Sequence, residues 1–360
     1  MNQYANGTTN HTSKHVKPAP NAEAFKPFIK AVGRGEKLKR DLTYEESQEA
    51  IRLILKREAT DAQIGAFLIS QRVKGEAVDE IRGFTDLIRE EFIQAIEPQV
   101  DGLLDLGVPY DGKAKTAQLA PAIAFVLNAV GVPVVLHGDE GVPTKEGVGP
   151  GTVLHALGIN TNLEVTAVQK MIESVGFGYL SAAHYVPAWH QLNDIRRQFG
   201  LRTVMNTIEK FFNPANAPYQ VTGFFHANYI ERIRSTQTGT KASWMVQGEE
   251  GSLEMATGRK TRIYASEAEN DVVLEPADVG FPQRERIEMT PIVDQHAILN
   301  TAVLAGEPHP ATDQTAFTAG TILHLIGAAP TVADGLAQAQ KALFSGAAMR
   351  KLEMTRRVNV

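Results

Sequence analysis

Two glycine-bearing loops, each following a short apolar run, contain the residue types in this sequence that could do chemistry. The first loop, residues 107–112, reads Gly-Val-Pro-Tyr-Asp-Gly and follows the apolar run at 103–106. The second begins at His137-Gly138, after the apolar run at 133–136. Loops at strand ends, before helix N-termini, are where α/β proteins usually hold phosphate groups. The two loops therefore mark the place of a phosphate site, provided that their residues can still bind phosphate.

The segments around the loops predict alternating strands and helices. An apolar helix is predicted between the loops, and a mostly helical region after the second one. Helices are predicted at 119–130, 290–305, 316–326 and 332–352, and residues 162–200 are predicted to be mostly helical, with breaks at Gly176-Phe177-Gly178 and at Pro187. Further strands are predicted at 220–225, 243–247, 261–265 and 272–274. Strands that alternate with helices imply a mainly parallel sheet with helices on its faces.

The region before the loops, residues 25–95, predicts helices alone. Thr43 and Thr60 each precede a Glu or Gln by three residues, which is the capping-box spacing. Apolar residues recur at helical intervals and are expected to form core. They are Ala50, Ile51, Ile54, Leu55, Ile64, Phe67, Leu68, Ile81, Phe84 and Ile88.

The composition changes near residue 98, and this change divides the chain. We predict a disordered, polar tail at 1–22, a helical domain at 23–98 and an α/β domain at 99–360. Helices from about 162–195 are expected to pack on the helical domain. At 360 residues the chain is long enough for two domains.

Composition and charge exclude several kinds of protein and site. The chain has no Cys, which excludes disulfides, a thiolate nucleophile and a Cys-bound metal. No apolar run reaches the roughly 18 residues of a membrane span, and the N-terminus has no signal-peptide core, so we expect a cytoplasmic protein without membrane contact. The net charge is −5, yet residues 195–262 hold ten Lys and Arg against five Glu. This asymmetry is compatible with a basic face on an acidic body.

Three stretches give the chain a resemblance to the anthranilate phosphoribosyltransferase family, from about residue 25 to residue 353. They are AQIGAFL with RVKGE (62–76), FGLRT with Asn206 and NPA (199–215), and LAGE with SGAA and KLE (304–353). The resemblance implies a small helical domain beside an α/β domain of the phosphoribosyltransferase and nucleoside phosphorylase type. It also implies a homodimer formed through the helical domain.

The family's ligand motifs are where the sequence departs from the resemblance. Family enzymes bind phosphoribosyl pyrophosphate (PRPP) on a Gly-Thr-Gly-Gly-Asp-Gly loop, whose backbone N–H groups approach the pyrophosphate. Here Pro109 lacks that N–H and Tyr110 adds a large ring. The polar Asn-Ile-Ser-Thr element becomes Gln-Leu-Ala-Pro at 118–121, and Lys-His-Gly-Asn-Arg becomes Leu-His-Gly-Asp-Glu at 136–140. The magnesium-binding Asp-Glu pair becomes Leu253 and Glu254.

These departures predict a degenerate pocket. Each lost charge-assisted hydrogen bond to phosphate costs roughly 1.5–3 kcal/mol. Half a dozen losses exceed the roughly 8 kcal/mol of a micromolar site. We therefore expect no PRPP-dependent catalysis, no cofactor, no metal and no catalytic residue. The matching pocket positions that keep a family-like residue are Gly107, Asp111, Gly112, Thr116, His137, Gly138, Arg196 and Glu254.

The replacements resemble the non-enzymatic, nucleic-acid-binding paralogues of the family (the YbiB type), on residues 110–121, 33–42 and 246–251. That resemblance implies a dimer that binds DNA or RNA with little sequence preference. The residues expected to contact phosphates are Arg196, Arg197, Arg202, Lys210, Lys113 and Lys115. Arg202 could instead pair inside the fold, and Arg197 and Lys210 could be ordinary solvated surface.

Two alternatives stay open. One is a phosphoribosyltransferase or other glycosyltransferase with an altered substrate, which would use PRPP and magnesium. His137 would be a catalytic candidate there, although a loop histidine after a buried strand is more often structural. The other is a structural or regulatory dimer.

Overall fold

The computed structural model describes residues 21–234, 239–281 and 286–358, and its first part is a group of four helices. These are α1 (Ala22–Gly33), α2 (Tyr44–Leu55), α3 (Asp61–Lys74) and α4 (Val78–Glu91). Both predicted capping boxes are present: Thr43 pairs reciprocally with Glu46 at the start of α2, and Thr60 with Gln63 at the start of α3. The predicted apolar stripes are buried, which confirms them as core. The predicted tail, except for its last two residues, lies outside the described residues.

A seven-stranded sheet organises the rest of the described chain. Its strands are β1 (Leu104–Gly107), β2 (Val134–Gly138), β3 (Phe177–Ser181), β4 (Tyr219–Gly223), β5 (Ala242–Val246), β6 (Thr261–Ala265) and β7 (Val272–Leu274). The strand order is β3-β2-β1-β4-β5-β6-β7. All neighbouring pairs from β3 to β5 are parallel, whereas the β5–β6 and β6–β7 pairs are antiparallel. A helical domain beside a mainly parallel α/β domain confirms the predicted fold class.

The order of the strands indicates where on the sheet a ligand would bind. The chain runs outward from β1 to β2 and β3, and then returns to add β4 on the opposite side of β1. This reversal is a topological switch point, and open α/β sheets bind ligands in the crevice outside the carboxyl ends of the strands at such a point. The loops that follow β1 and β4 meet there.

Helices cover both faces of the sheet. They are α5 (Ala120–Ala129), α6 (Pro150–Ala156), α7 (Val165–Val175), α8 (Ala182–Tyr185), α9 (Pro187–His190), α10 (Asn193–Phe199), α11 (Met205–Ile208), α12 (Ile230–Arg234), α13 (Val293–Leu304), α14 (Pro310–Leu325), α15 (Val332–Phe344) and α16 (Ala347–Val358). Two predictions need correction. The break predicted at 176–178 is present, because Gly176 ends α7 with a φ of +76°, but residues 177–181 then form a strand, which was not predicted. The helix predicted at 332–352 divides at Gly346, whose φ is +71°.

Two hydrophobic cores lie on opposite faces of the sheet. One joins α5 and α13–α16 to the sheet and includes a stacked pair of rings, Phe125 and Phe177. The other joins α1–α4 to helices of the 165–208 region and includes Phe67 and Trp189. The segment after β3 thus packs with the helical domain, which brings α3 close to the switch point. Among the described residues, no helix is long and apolar enough to cross a membrane.

Candidate ligand-binding cleft

A cavity of about 440 Å³ lies beyond the ends of β1 and β4, where the two parts of the chain meet. Its size is that of an ordinary small-molecule site. Arg72 and Glu76 line it from the helical side. From the α/β side it is lined by residues of the loops after β1, β4 and β5, among them Asp111, Phe225 and Glu250.

The loop after β1 is filled by its own tyrosine. The Tyr110 side chain is buried, and the Gln118 amide donates hydrogen bonds to its hydroxyl oxygen and, at 3.1 Å, to the carbonyl of Val148. Burial raises the pKa of the Tyr110 hydroxyl well above its usual range, so the ring stays neutral. Pro109 packs directly against Gly138 of the second loop. Side chains of the protein therefore occupy the space between the two loops.

The end of this loop is also closed. A Cβ at Gly112, whose φ is +80°, would lie 2.3 Å from the carbonyl carbon and oxygen of Gly147. Lys113 and Val148 exchange both backbone hydrogen bonds, at 3.0 and 2.9 Å. At the start of the loop, a Cβ at Gly107 would lie 2.4 Å from the carbonyl oxygen of Lys210. Glycine is required at both ends by close backbone packing.

Asp111 is held by Arg202. The guanidinium donates from Nε to Oδ2 at 2.7 Å and from Nη2 to Oδ1 at 2.9 Å. This is a bidentate pair, which fixes the orientation of both groups. The Arg202 side chain is 49 % exposed, whereas Asp111 is buried. Arg202 therefore pairs inside the fold, as the sequence allowed, and still presents part of its guanidinium to the cleft.

Lys113 is a buried cation inside the site. Its Nζ donates to the carbonyl of Glu249 and to the hydroxyl of Ser252, both at 2.7 Å, and lies 3.5 Å from a carboxylate oxygen of Glu254. The other oxygen of Glu254 accepts the N–H of Leu119 at 3.0 Å. The prediction that Lys113 contacts nucleic acid is wrong, because its side chain has no exposed surface. Its charge is compensated within the protein.

Glu250 supplies an anion that is largely but not fully buried, since 12 % of its side chain is exposed. Its carboxylate accepts hydrogen bonds from three successive backbone N–H groups, from the hydroxyl of Thr116 and from Nζ of Lys145. Burial alone would raise the pKa of this carboxyl, but the hydrogen bonds from Lys145, Thr116 and the backbone outweigh it and lower the pKa to about 2. Glu250 is therefore a carboxylate at all physiological pH values.

The second loop is held in place by contacts of His137 and Asp139 with neighbouring side chains. His137 is fully buried, with Nδ1 3.2 Å from the Tyr185 hydroxyl and Nε2 3.4 Å from a carboxylate oxygen of Asp105. It does not reach the cleft, so the structure favours its structural role. Asp139 accepts hydrogen bonds from His190 and Asn193, at 2.9 and 2.8 Å. Its hydrogen bond is the largest cause of a raised pKa at His190.

Arg196 does not form part of a basic surface. Its guanidinium donates to both carboxylate oxygens of Glu209, at 2.9 and 3.0 Å, and is 2 % exposed. The prediction that Arg196 contacts nucleic acid is therefore wrong, because a phosphate cannot reach it. Arg197 points outward, is 43 % exposed and pairs with Glu146 and Asp194.

Of the two remaining predicted lysines, Lys210 lines the cleft and Lys115 is not among its lining residues. The Lys210 ammonium donates to the carbonyls of Gly223 and Gly251, at 2.7 and 3.2 Å. Burial lowers its pKa to about 8, against the opposing effect of Asp111. Lys115 is exposed, while its backbone N–H binds Glu250. Lys210 is therefore not ordinary solvated surface, whereas the Lys115 side chain is exposed and its contact with phosphate stays a prediction.

Several residues that shape the cleft went unpredicted. Phe225 is 59 % exposed at its mouth, beside His226, and Arg232 lies over the ring of Tyr229 at 5.4 Å. Arg72 donates to the carbonyl of Arg202. The signal available in the sequence was the pair of phenylalanines ending a predicted strand at 220–225. Within the described residues no group of three or more His, Asp or Glu could hold a metal ion.

Two family models match the chain over these two parts. The helical bundle domain of a glycosyl transferase family matches residues 26–92, and the α/β domain of a glycosyl transferase family matches residues 111–349. The anthranilate phosphoribosyltransferase of Geobacillus kaustophilus is 33 % identical over 321 residues, which cover 88 % of this chain and 94 % of that protein. The enzyme of the same name from Methanocorpusculum labreanum is 33 % identical over 322 residues, covering 87 % and 93 %.

Solved structures of the same enzyme share the fold. The crystal structure from Thermus thermophilus superposes with a TM-score of 0.80 at 27 % identity, covering 93 % of this chain and 99 % of that one. The Saccharomyces cerevisiae enzyme in complex with PRPP and Mg gives a TM-score of 0.81 at 18 % identity, covering 94 % and 98 %. At that identity the second comparison shows the fold alone.

Proposed function

This chain belongs to the anthranilate phosphoribosyltransferase family, and we propose that it uses the family scaffold to bind single-stranded nucleic acid across the mouth of the cleft, without PRPP-dependent transfer. The observation that carries the proposal is the filling of the loop after β1. Tyr110 occupies it, and Glu250 takes the neighbouring backbone N–H groups. Nucleic-acid-binding paralogues of the YbiB type offer a precedent for this use of the scaffold.

PRPP and magnesium do not fit the residues of this site. A pyrophosphate needs free N–H donors, whereas Pro109 has none and the amides of residues 114–116 already bind a carboxylate. A magnesium ion needs several oxygen ligands, whereas the carboxylate of Glu254 faces an ammonium group and a backbone N–H. The Glu250 carboxylate thus takes the place of the negative pyrophosphate, and the Lys113 ammonium takes the place of the positive metal ion.

The mouth of the cleft has the features of a single-strand site. Phe225 presents an exposed ring to which a base could stack, and stacking on aromatic side chains is tolerant of sequence. Arg72 and Arg202 line the same cavity with guanidinium groups that reach solvent. Phosphate contacts from such groups give affinity without sequence preference. The homodimer predicted from the resemblance would double this surface.

Transfer to an altered phosphorylated substrate is the second candidate. It is favoured by the names of the two relatives described above, both anthranilate phosphoribosyltransferases, and by the cleft of about 440 Å³. This candidate requires Glu250 and Tyr110 to leave their positions before a sugar phosphate could enter.

One paired experiment separates the candidates. A fluorescently labelled single-stranded DNA 20-mer is titrated with the protein at 50 and 200 mM salt. In parallel, the protein is incubated with PRPP, magnesium and anthranilate, and the release of pyrophosphate is measured. For about four phosphate contacts we expect the affinity to fall roughly 50-fold between the two salts, with no pyrophosphate released. Release of pyrophosphate would support the transferase instead. Absence of DNA binding at the lower salt would refute the proposed function.

A further inference from the structure

Glu76 carries a buried carboxylate that faces the cleft. It follows Gly75, which caps the end of α3, and it is 6 % exposed and lines the cavity. The hydroxyl of Tyr229 donates a hydrogen bond to its Oε2. Within the described chain no other hydrogen bond or ion pair reaches this carboxylate, and Oε1 is not sealed inside the protein. Because a buried carboxylate without donors is unfavourable, a ligand with N–H groups would complete this site.

The turn after β4 holds an exposed ring and the partner of Glu76 together. Phe225 lies at the start of this turn, with 59 % of the residue exposed. The backbone N–H of Tyr229 donates to the carbonyl of His226 at 3.1 Å and closes the turn. The Tyr229 hydroxyl ties the turn to Glu76, and all four residues line the same cavity. A planar group stacked on the Phe225 ring would therefore share the cleft with the Glu76 carboxylate.

The donor pattern of the bases decides which of them a carboxylate accepts. Guanine presents two adjacent donors on its Watson–Crick edge, N1–H and the N2 amino group, which match the two oxygens of a carboxylate. Adenine and cytosine each present one amino group beside a ring nitrogen whose lone pair repels an anion. Thymine presents one N–H between two carbonyl oxygens. Proteins read single-stranded bases by stacking and by hydrogen bonds to this edge, so a carboxylate here favours guanine.

We propose that the cleft contains a guanine subsite, in which one base of the bound strand stacks on Phe225 and donates N1–H and N2–H to the Glu76 carboxylate. The inference rests on the proposed function and adds a base preference at one position to phosphate contacts that carry none. Tyr229 acts as a positioning residue, because its hydroxyl holds Oε2 and orients the carboxylate.

The test compares labelled 12-mers of thymidine that carry one central guanine, adenine, cytosine or hypoxanthine. Each is titrated with the wild-type, full-length protein at 50 mM salt, beside the 12-mer of thymidine alone. We expect guanine to raise the affinity about tenfold or more over thymine, and adenine and cytosine to leave it near that of thymine. Hypoxanthine keeps N1–H but lacks the N2 amino group, so its affinity should be intermediate.

A variant assigns the preference to the carboxylate. In Glu76→Gln the ratio of guanine to thymine affinity should fall toward one, because an amide NH₂ replaces one of the two acceptor oxygens. Glu353→Gln makes the same charge change at an exposed position of α16, outside the cleft, and should keep the ratio of the wild type.

The outcomes separate the inference from the proposed function. Equal binding of all five 12-mers would leave single-strand binding intact and overturn the guanine subsite, as would a preference for adenine or cytosine. A guanine preference that persists in folded Glu76→Gln would also overturn it. Failure of every strand to bind would refute the proposed function and the subsite together. The base series uses the wild type, so it decides the matter even if the variant does not fold.

Discussion

The guanidinium of Arg196 and the carboxylate of Glu209 form a bidentate ion pair inside the protein, with N···O distances of 2.9 and 3.0 Å. Nε1 of Trp189 donates to the same carboxylate at 3.1 Å. Arg196 also lies 5.9 Å from the centre of the Trp189 ring. The pair joins α10 to the turn after α11, and this segment packs between the helical domain and the sheet.

Removing one partner of this pair should cost much stability. In Arg196→Met the Glu209 carboxylate stays buried without its cation, so we expect the free energy of unfolding to fall by about 3–5 kcal/mol. Chemical denaturation measures the loss. Arg197→Met is the matched control, since Arg197 forms only exposed pairs and should change stability by about 0.5 kcal/mol or less. Equal losses in both variants would contradict a structural role specific to Arg196.

Phe225 should contribute to single-strand binding. Replacing a base-stacking ring by alanine typically costs about 1–3 kcal/mol, so Phe225→Ala should weaken binding of a labelled single-stranded oligonucleotide by roughly one to two orders of magnitude. Phe344→Ala is the matched control, because Phe344 is 63 % exposed at the end of α15 and outside the cleft. A folded Phe225→Ala protein with wild-type affinity would exclude the ring from the nucleic-acid site.

Arg72 should act through charge rather than stacking. Arg72→Glu places a carboxylate in the cleft, and we expect lower affinity for every single-stranded sequence tested. The slope of log affinity against log salt should fall by about 0.7 if one phosphate contact is lost. Arg357→Glu makes the same charge change on α16 and serves as the control. If Arg72→Glu and Arg357→Glu weaken binding equally, the loss of affinity comes from the change in net charge and not from a contact in the cleft.

Glu250 should make stability depend on acid pH. Its pKa is lowered from 4.5 to about 2 in the folded protein, so its contribution is complete above about pH 5 and is lost as the pH falls toward 2. Lys145 and Arg286 are the cations that face it. The stability difference between the wild type and Glu250→Gln should therefore be constant from pH 6 to 8 and shrink at pH 3. If the stability difference between the two proteins is the same at pH 3 as at pH 7, the negative charge of Glu250 does not contribute to stability.

The sequence predicted the fold well because the patterns behind it are local. Capping boxes at Thr43 and Thr60 and apolar stripes at helical spacing are each set by neighbouring residues. The strand at 177–181 was missed because a short run with one tyrosine and one glycine, between helices, has no period of its own. Its pairing with β2 decides its conformation.

The site was harder to predict because its contacts are distant in sequence. Glycine-bearing loops at the ends of β1 and β2 correctly marked the switch point. Nothing near Lys113 indicates that Glu254 and Ser252 surround its ammonium, and nothing near Arg196 separates a buried pair from a basic surface. Arg196 and Glu209 are 13 residues apart and Lys113 and Ser252 are 139 apart, so these contacts form only when the sheet and the helical domain come together.

The most direct test is a calorimetric titration of the wild-type protein with PRPP in the presence of magnesium. Tyr110, Lys113 and Glu250 already supply the bulk and the two charges that this ligand and its metal would bring. We predict no saturable heat at millimolar PRPP. Saturable binding with a micromolar dissociation constant would contradict the account.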